Sequence, residues 1–124
     1  MRFRTPRDDY DFDIPDEWWS FAELDQLVSA LGPYYPYKPA DAVQIVLLSD
    51  IEPPQRSEAV EPFKKYKLVP LLLAFRSPEC KLPPIQLAEL EDAVYQYRVT
   101  NGYHRFYSSI AVGYSHAPAV LFPK

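Results

Sequence analysis

Tyr95–Tyr114 reads YQYRVTNGYHRFYSSIAVGY, and its character changes at Asn101-Gly102. Before that pair, YQYRVT has the branched and aromatic content of a strand. After it, Tyr103–Val112 has the spacing of a helix, with His104 and Arg105 in its first turn. A helix start already presents N–H groups that lack intrahelical acceptors, together with the positive end of the macrodipole. Cationic side chains there oppose the dipole at a cost of a few tenths of a kcal/mol, about 0.3–1 at the surface, unless an anion is bound. The alternative is that the two residues cap their neighbourhood or pair with surface carboxylates.

Outward from this junction, AVYQYRVT and LPPIQLAEL read as two strands joined by a tight acidic turn at Glu91-Asp92, and HAPAVLFP reads as the final strand. Ala42–Ile51, AVQIVLLSDI, is another strand, closed by Pro53-Pro54. Between them, VEPFKKYKLVPLLLAFRSP places Pro62 and Pro70 where each suits the first turn of a short helix, so a broken helix is expected, closed by Pro78. DEWWSFAELDQLVSALG, residues 16–32, carries Trp18, Phe21, Ala22, Leu24, Leu27, Val28 and Leu31 at helical spacing, with Gly32 as its stop. PYYPYKP is held extended by Pro33, Pro36 and Pro39. Met1–Pro15 alternates Arg2, Arg4 and Arg7 with Asp8, Asp9, Asp11 and Asp13, as an edge strand or an extended arm. The order is a helix, then β, broken α, β, β, α, β, which places the chain in the α+β class with a mixed sheet.

Composition bounds the function. With 124 residues, 48% of them hydrophobic, the chain builds one compact unit with a real core. Thirteen Lys+Arg against seventeen Asp+Glu leave a net charge of −4, which disfavours a whole-molecule grip on DNA. Cys80 has no second cysteine to pair with, and the acidic start has no basic-apolar leader, so a cytoplasmic protein is expected. The longest apolar run, LVPLLLAF, is too short for a bilayer. Fourteen prolines and ten tyrosines beside three glycines indicate stiffened connections.

In order, LSDIEPPQR after a strand, a helical segment, PPIQL, a hairpin, YRVTNGYHRFYSSIAVGY and a closing APAVLF resemble the ParB/sulfiredoxin-like superfamily over roughly Val43–Phe122. NGYHRF is similar to the Gly-x-His/Arg-Arg signature that opens that superfamily's conserved helix. The resemblance implies a small α+β core over 43–124, preceded by an arm, helix and proline-rich wrap over 1–42. It also implies a nucleotide-phosphate site at the helix start. Gly102 is then the close-approach residue, His104 and Arg105 the phosphate contacts, and Arg56 and Lys64 neutralise charge. Mg²⁺ is expected to accompany an NTP. Hydrolysis, with His104 moving a proton, extends the same expectation, and nuclease activity is a sub-case.

Three departures from the family bear on this. Tyr103 stands where sulfiredoxins have their nucleophilic cysteine. Tyr103 and Tyr107 replace arginines of the ParB box, and no helix-turn-helix follows, so sequence-specific DNA reading is not expected. The competing expectation is a protein-interaction module without catalysis, using Trp18, Trp19, Tyr34, Tyr35 and Tyr37 as a partner surface; equally, those rings pack the proline-rich segment onto the domain. Ser108 and Ser109 are expected to pack or back-bond within the helix, and His116 to be structural. No Cys/His set has zinc spacing, while the aspartate row of the arm either binds a divalent cation or is solvated.

Overall fold

The computed structural model describes residues 1–7, 10–24, 33–35, 43–54, 63–76, 82–91 and 94–122. Arg56, Asp8, Asp9, Tyr37 and Cys80 lie outside them, as do residues 25–32 of the long N-terminal helix expected from the sequence.

The chain opens with a hairpin of β1 (Arg2–Arg4) and β2 (Asp11–Asp13), followed by α1 (Asp16–Phe21). The N-terminal arm is thus paired with itself rather than with the main sheet. Phe3 and Phe12 share one face, stacked at 5.5 Å between centroids, and Phe12 reaches Tyr107 at 4.9 Å. The opposite positions hold the cross-strand pairs Arg2–Asp13 and Arg4–Asp11. α1 stops earlier than the periodicity predicts: Glu23 has φ +55°, a left-handed backbone that cannot propagate the helix. The buried side is also rotated from the expected stripe. Trp19, Ala22 and Leu24 are buried, whereas Phe21 is 67% exposed.

The main sheet contains β3 (Val43–Leu47), β4 (Ile51–Glu52), β5 (Ile85–Glu89), β6 (Tyr97–Asn101) and β7 (His116–Phe122), in the order β3-β7-β5-β6-β4. It is mixed: β3/β7 and β5/β6 are antiparallel, β7/β5 and β6/β4 parallel. The strand expected over Ala42–Ile51 is therefore two strands, split by one 3₁₀ turn at Leu48–Asp50 whose Leu48 is buried. That turn covers about 6 Å, yet it joins the two outer strands of a sheet that would be about 19 Å across if flat. The sheet must curl so that its edges meet near the turn. The β5–β6 loop is longer than a tight turn, since Leu90 N–H bonds the Gln96 carbonyl and β6 begins only at Tyr97.

α2 (Lys65–Arg76) and α3 (Tyr103–Ala111) pack on the inner face of the sheet. α2 is one helix through Pro70, not the broken pair expected. Pro70 removes the N–H that would bond the Tyr66 carbonyl, but both residues lie on the exposed side, where water replaces the bond. Leu68, Leu72 and Phe75 form the buried stripe, meeting Ile85, Leu87, Ala117 and Ala119 of the sheet and Phe106 of α3 in one core. Pro118, inside a central strand, loses no ladder bond. The Leu48 N–H to Ser115 carbonyl bond sets the hydrogen-bonding phase, placing Pro118 and Ile45 in a non-bonded pair. On its other side Pro118 falls before Ile85, the first paired residue of β5. No helix among the described residues is long and apolar enough to cross a membrane.

Candidate functional site

β6 ends in a bulge: the register shifts between Gln86 and Leu87 opposite Thr100, whose Oγ1 bonds the Gln86 carbonyl at 3.2 Å. The bulge re-aims the chain just before Gly102. Gly102 has φ +126°, and a Cβ there would lie 3.1 Å from Ile85 Cγ2 and 3.3 Å from Arg105 Nη2, so glycine is needed for conformation and space alike. The first helical bond of α3 follows, from Phe106 N–H to the Gly102 carbonyl at 2.8 Å.

An open cleft of about 440 Å³ lies at this helix start. The end of β6 and the first turn of α3 form one wall, Lys67 and Leu71 of α2 another, and Pro54 a third. Gly102, His104 and Arg105, singled out from the sequence, all reach it. Lys64 does not: its backbone N–H bonds His104 Nε2 at 3.3 Å, and its side chain is not part of the lining. Lys67 takes its place, because residues four apart share a helix face and the Lys67–Leu71 pair is the one turned to the cleft. The signal was present in the sequence as that i, i+4 pair, but reading it requires knowing that α2 runs unbroken from Lys65.

The two predicted contacts differ in what already holds them. His104 is buried, edge-on to Phe63 at 5.6 Å between ring centroids, and its Nε2 accepts the Lys64 N–H. With Nε2 accepting, the ring carries its proton on Nδ1. Arg105 places Nη1 on two carbonyls, Pro83 at 3.0 Å and Pro84 at 2.7 Å, which pins the strand start to the helix. Burial lowers its pKa from the ordinary arginine value, only partly offset by Tyr35; an arginine remains charged at neutral pH. Nε and Nη2 lie over Gly102. No carboxylate lines the cleft among the described residues.

The floor beneath is tied by hydroxyls. Tyr107 O–H donates to the Pro54 carbonyl at 2.6 Å, and burial, reinforced by Tyr103 and Tyr10, raises its pKa well above the usual phenol range. Ser108 and Ser109 both back-bond the Arg105 carbonyl, at 3.2 and 2.7 Å, as expected. His116 Nδ1 meets Ser115 Oγ at 2.7 Å, while the backbone N–H groups of both residues bond the Pro33 carbonyl.

The aromatic N-terminal half divides. Trp19 and Tyr35 are buried, the latter donating its O–H to the Pro83 carbonyl at 2.9 Å; Trp18 and Phe21 line a shallow groove with Lys65 and Val69 of α2. Asp11 and Asp13 of the aspartate row are engaged by Arg4 and Arg2, and no group of three or more metal-ligating side chains occurs among the described residues. No protein-family model and no curated protein matches the chain.

Proposed function

We propose that the cleft at the start of α3 binds the phosphate groups of a nucleotide, as the resemblance to ParB/sulfiredoxin-like domains implies. One observation carries the reading: Lys67 and Arg105 converge on a cleft at the positive end of α3 that no carboxylate lines among the described residues. Arg105 is oriented by backbone carbonyls, which fix its plane without cancelling its charge, and a guanidinium fork suits phosphate oxygens. Lys67 supplies a second, flexible charge. Mg²⁺ enters with the NTP, held mainly by its phosphates. Hydrolysis needs chiefly positioning and charge stabilisation, and in this reading His104 positions the Lys64 backbone against α3.

The test is a thermal-shift series with each NTP, with and without Mg²⁺, on wild type and Lys67→Glu. Lys67 is exposed and ties no element of the fold, so its loss reports on binding. A ligand at a hundred times its Kd adds about 2.7 kcal/mol. The expected result is a nucleotide-dependent rise that Lys67→Glu removes; a folded wild type that shifts with no nucleotide sinks the reading.

Phe21, 67% exposed beside Trp18, favours a second reading, a protein-interaction module. In that case Phe21→Ser abolishes partner capture while Lys67→Glu retains it.

A further inference from the structure

The two edges of the main sheet are finished differently. The β4 edge is two residues long and carries Glu52, and the turn leading into it is held by Arg7. That guanidinium donates to the Ser49 carbonyl at 2.7 Å and the Val94 carbonyl at 3.2 Å and lies 3.6 Å from Asp50. Short length and charge are the usual guards of a sheet edge. The β3 edge has neither. Val43–Leu47 is VQIVL, five residues without charge or proline, and Ile45 and Leu47 are 39% and 42% exposed.

The hydrogen-bonding phase determines what this edge offers. Leu48 and Ser115 form a bonded pair, so Val46 and Gln44 face β7 in bonded pairs as well. Val43, Ile45 and Leu47 therefore direct their N–H and C=O groups away from β7, toward the open edge, and their side chains share the outer face. The same face continues onto Val120, opposite Val43, and onto Phe122, 44% exposed.

We propose that β3 pairs antiparallel with β3 of a second copy of this chain, about a two-fold axis at Ile45. Ile45 then meets Ile45, Val43 meets the partner's Leu47, and Leu47 meets the partner's Val43. Each of these pairs exchanges both of its backbone bonds. The strand is complementary to itself in this register: the three bonded pairs are apolar, and Gln44 falls opposite Val46 in the non-bonded pairs between them. β3 carries no charge, so two copies meet along it without local repulsion, while the net charge of −4 on each chain acts against close association and keeps the contact weak. Five residues form a small contact beside a standard interface of about 1,600 Å², so the dimer is reversible. The proposal is independent of the phosphate site.

Sedimentation velocity from micromolar to millimolar protein, on wild type and Ile45→Lys, tests it. The expected result is a mass rising toward the dimer, with the Lys variant weakened at least about tenfold. A constant monomer mass, or a dimer that Ile45→Lys leaves intact, overturns the proposal. A second measurement does not depend on how the Lys variant folds. Ile45→Cys in a Cys80→Ser chain places two thiols on the axis, where a bonded pair has Cα atoms about 5.5 Å apart, within disulfide range. Oxidation yields a covalent dimer from this variant and not from Val94→Cys, also highly exposed. Equal cross-linking of the two overturns the proposal.

Discussion

The N-terminal hairpin and the start of α3 hold the same cation against different acceptors. In the hairpin, Arg4 meets the Asp11 carboxylate at 2.9 Å and Arg2 meets Asp13 at 3.7 Å, all with exposed side chains. At α3, Arg105 meets the carbonyls of Pro83 and Pro84 from a half-buried position. The carboxylates neutralise their arginines in water, where an ion pair adds little stability. The carbonyls orient Arg105 and leave its full charge in the field of the cleft. An arginine paired with an acid serves the strand register, and one paired with backbone carbonyls keeps its charge uncompensated.

If that contrast is right, disturbances at the helix start are expensive and those in the hairpin are not. The largest effect is expected for Gly102→Ala. The left-handed backbone and the approach to Ile85 together cost about 2–3 kcal/mol, read as a lowered chemical-denaturation midpoint with unchanged slope. A wild-type-like midpoint would mean that the junction relaxes freely and is no rigid cradle.

Next comes Tyr107→Phe, which leaves the Pro54 carbonyl without its donor and costs about 1–2 kcal/mol. It also carries a pH signature. The folded-state pKa of Tyr107 lies above its unfolded value of about 10. Its contribution is therefore complete below pH 10 and is lost as pH rises beyond, when the unfolded chain ionises first. Wild-type stability should fall more steeply above pH 10 than that of Tyr107→Phe, as urea melts in alkaline buffer would show. Parallel profiles would exclude the buried hydroxyl as the cause.

The smallest effect is expected for Arg4→Ala. The Arg4 hydrogen bond and charge lower the pKa of Asp11, so the pair stabilises above the ordinary carboxylate range and is lost as pH falls through it. Because both side chains of the pair are exposed to solvent, the melting temperature at neutral pH should scarcely move in moderate salt. A clear drop would erase the distinction between the two regions.

Much of this arrangement was legible in the sequence. The apolar, proline-bounded runs of β3, β5 and β7 and the glycine between β6 and α3 follow from local rules, and the fold is α+β with a mixed sheet as expected. Gly102, His104 and Arg105 come to one cleft because one turn of helix carries them there. What stayed hidden depends on tertiary context. Pro70 starts no helix because its missing bond is on the wet side of α2. Trp19 rather than Phe21 turns inward, and α1 is followed by a left-handed Glu23, a conformation that no local rule assigns to glutamate. Lys67 replaces Lys64 because helical phase, not abundance of lysine, decides which amine reaches the cleft. The pairing of Asp11 with Arg4 and of Asp13 with Arg2 required the register of the hairpin.

The place of β7 in the sheet has a consequence for synthesis. It lies between β3 and β5, yet it is the last strand of the sheet to leave the ribosome. Until it emerges, the Val43–Leu47 strand has no neighbour on its β7 side, and β5 can pair only with β6. Before β7 is made, strand pairing is limited to the β1–β2 and β5–β6 hairpins and the β6–β4 ladder, and the two central ladders close by insertion of a strand between two that are already made.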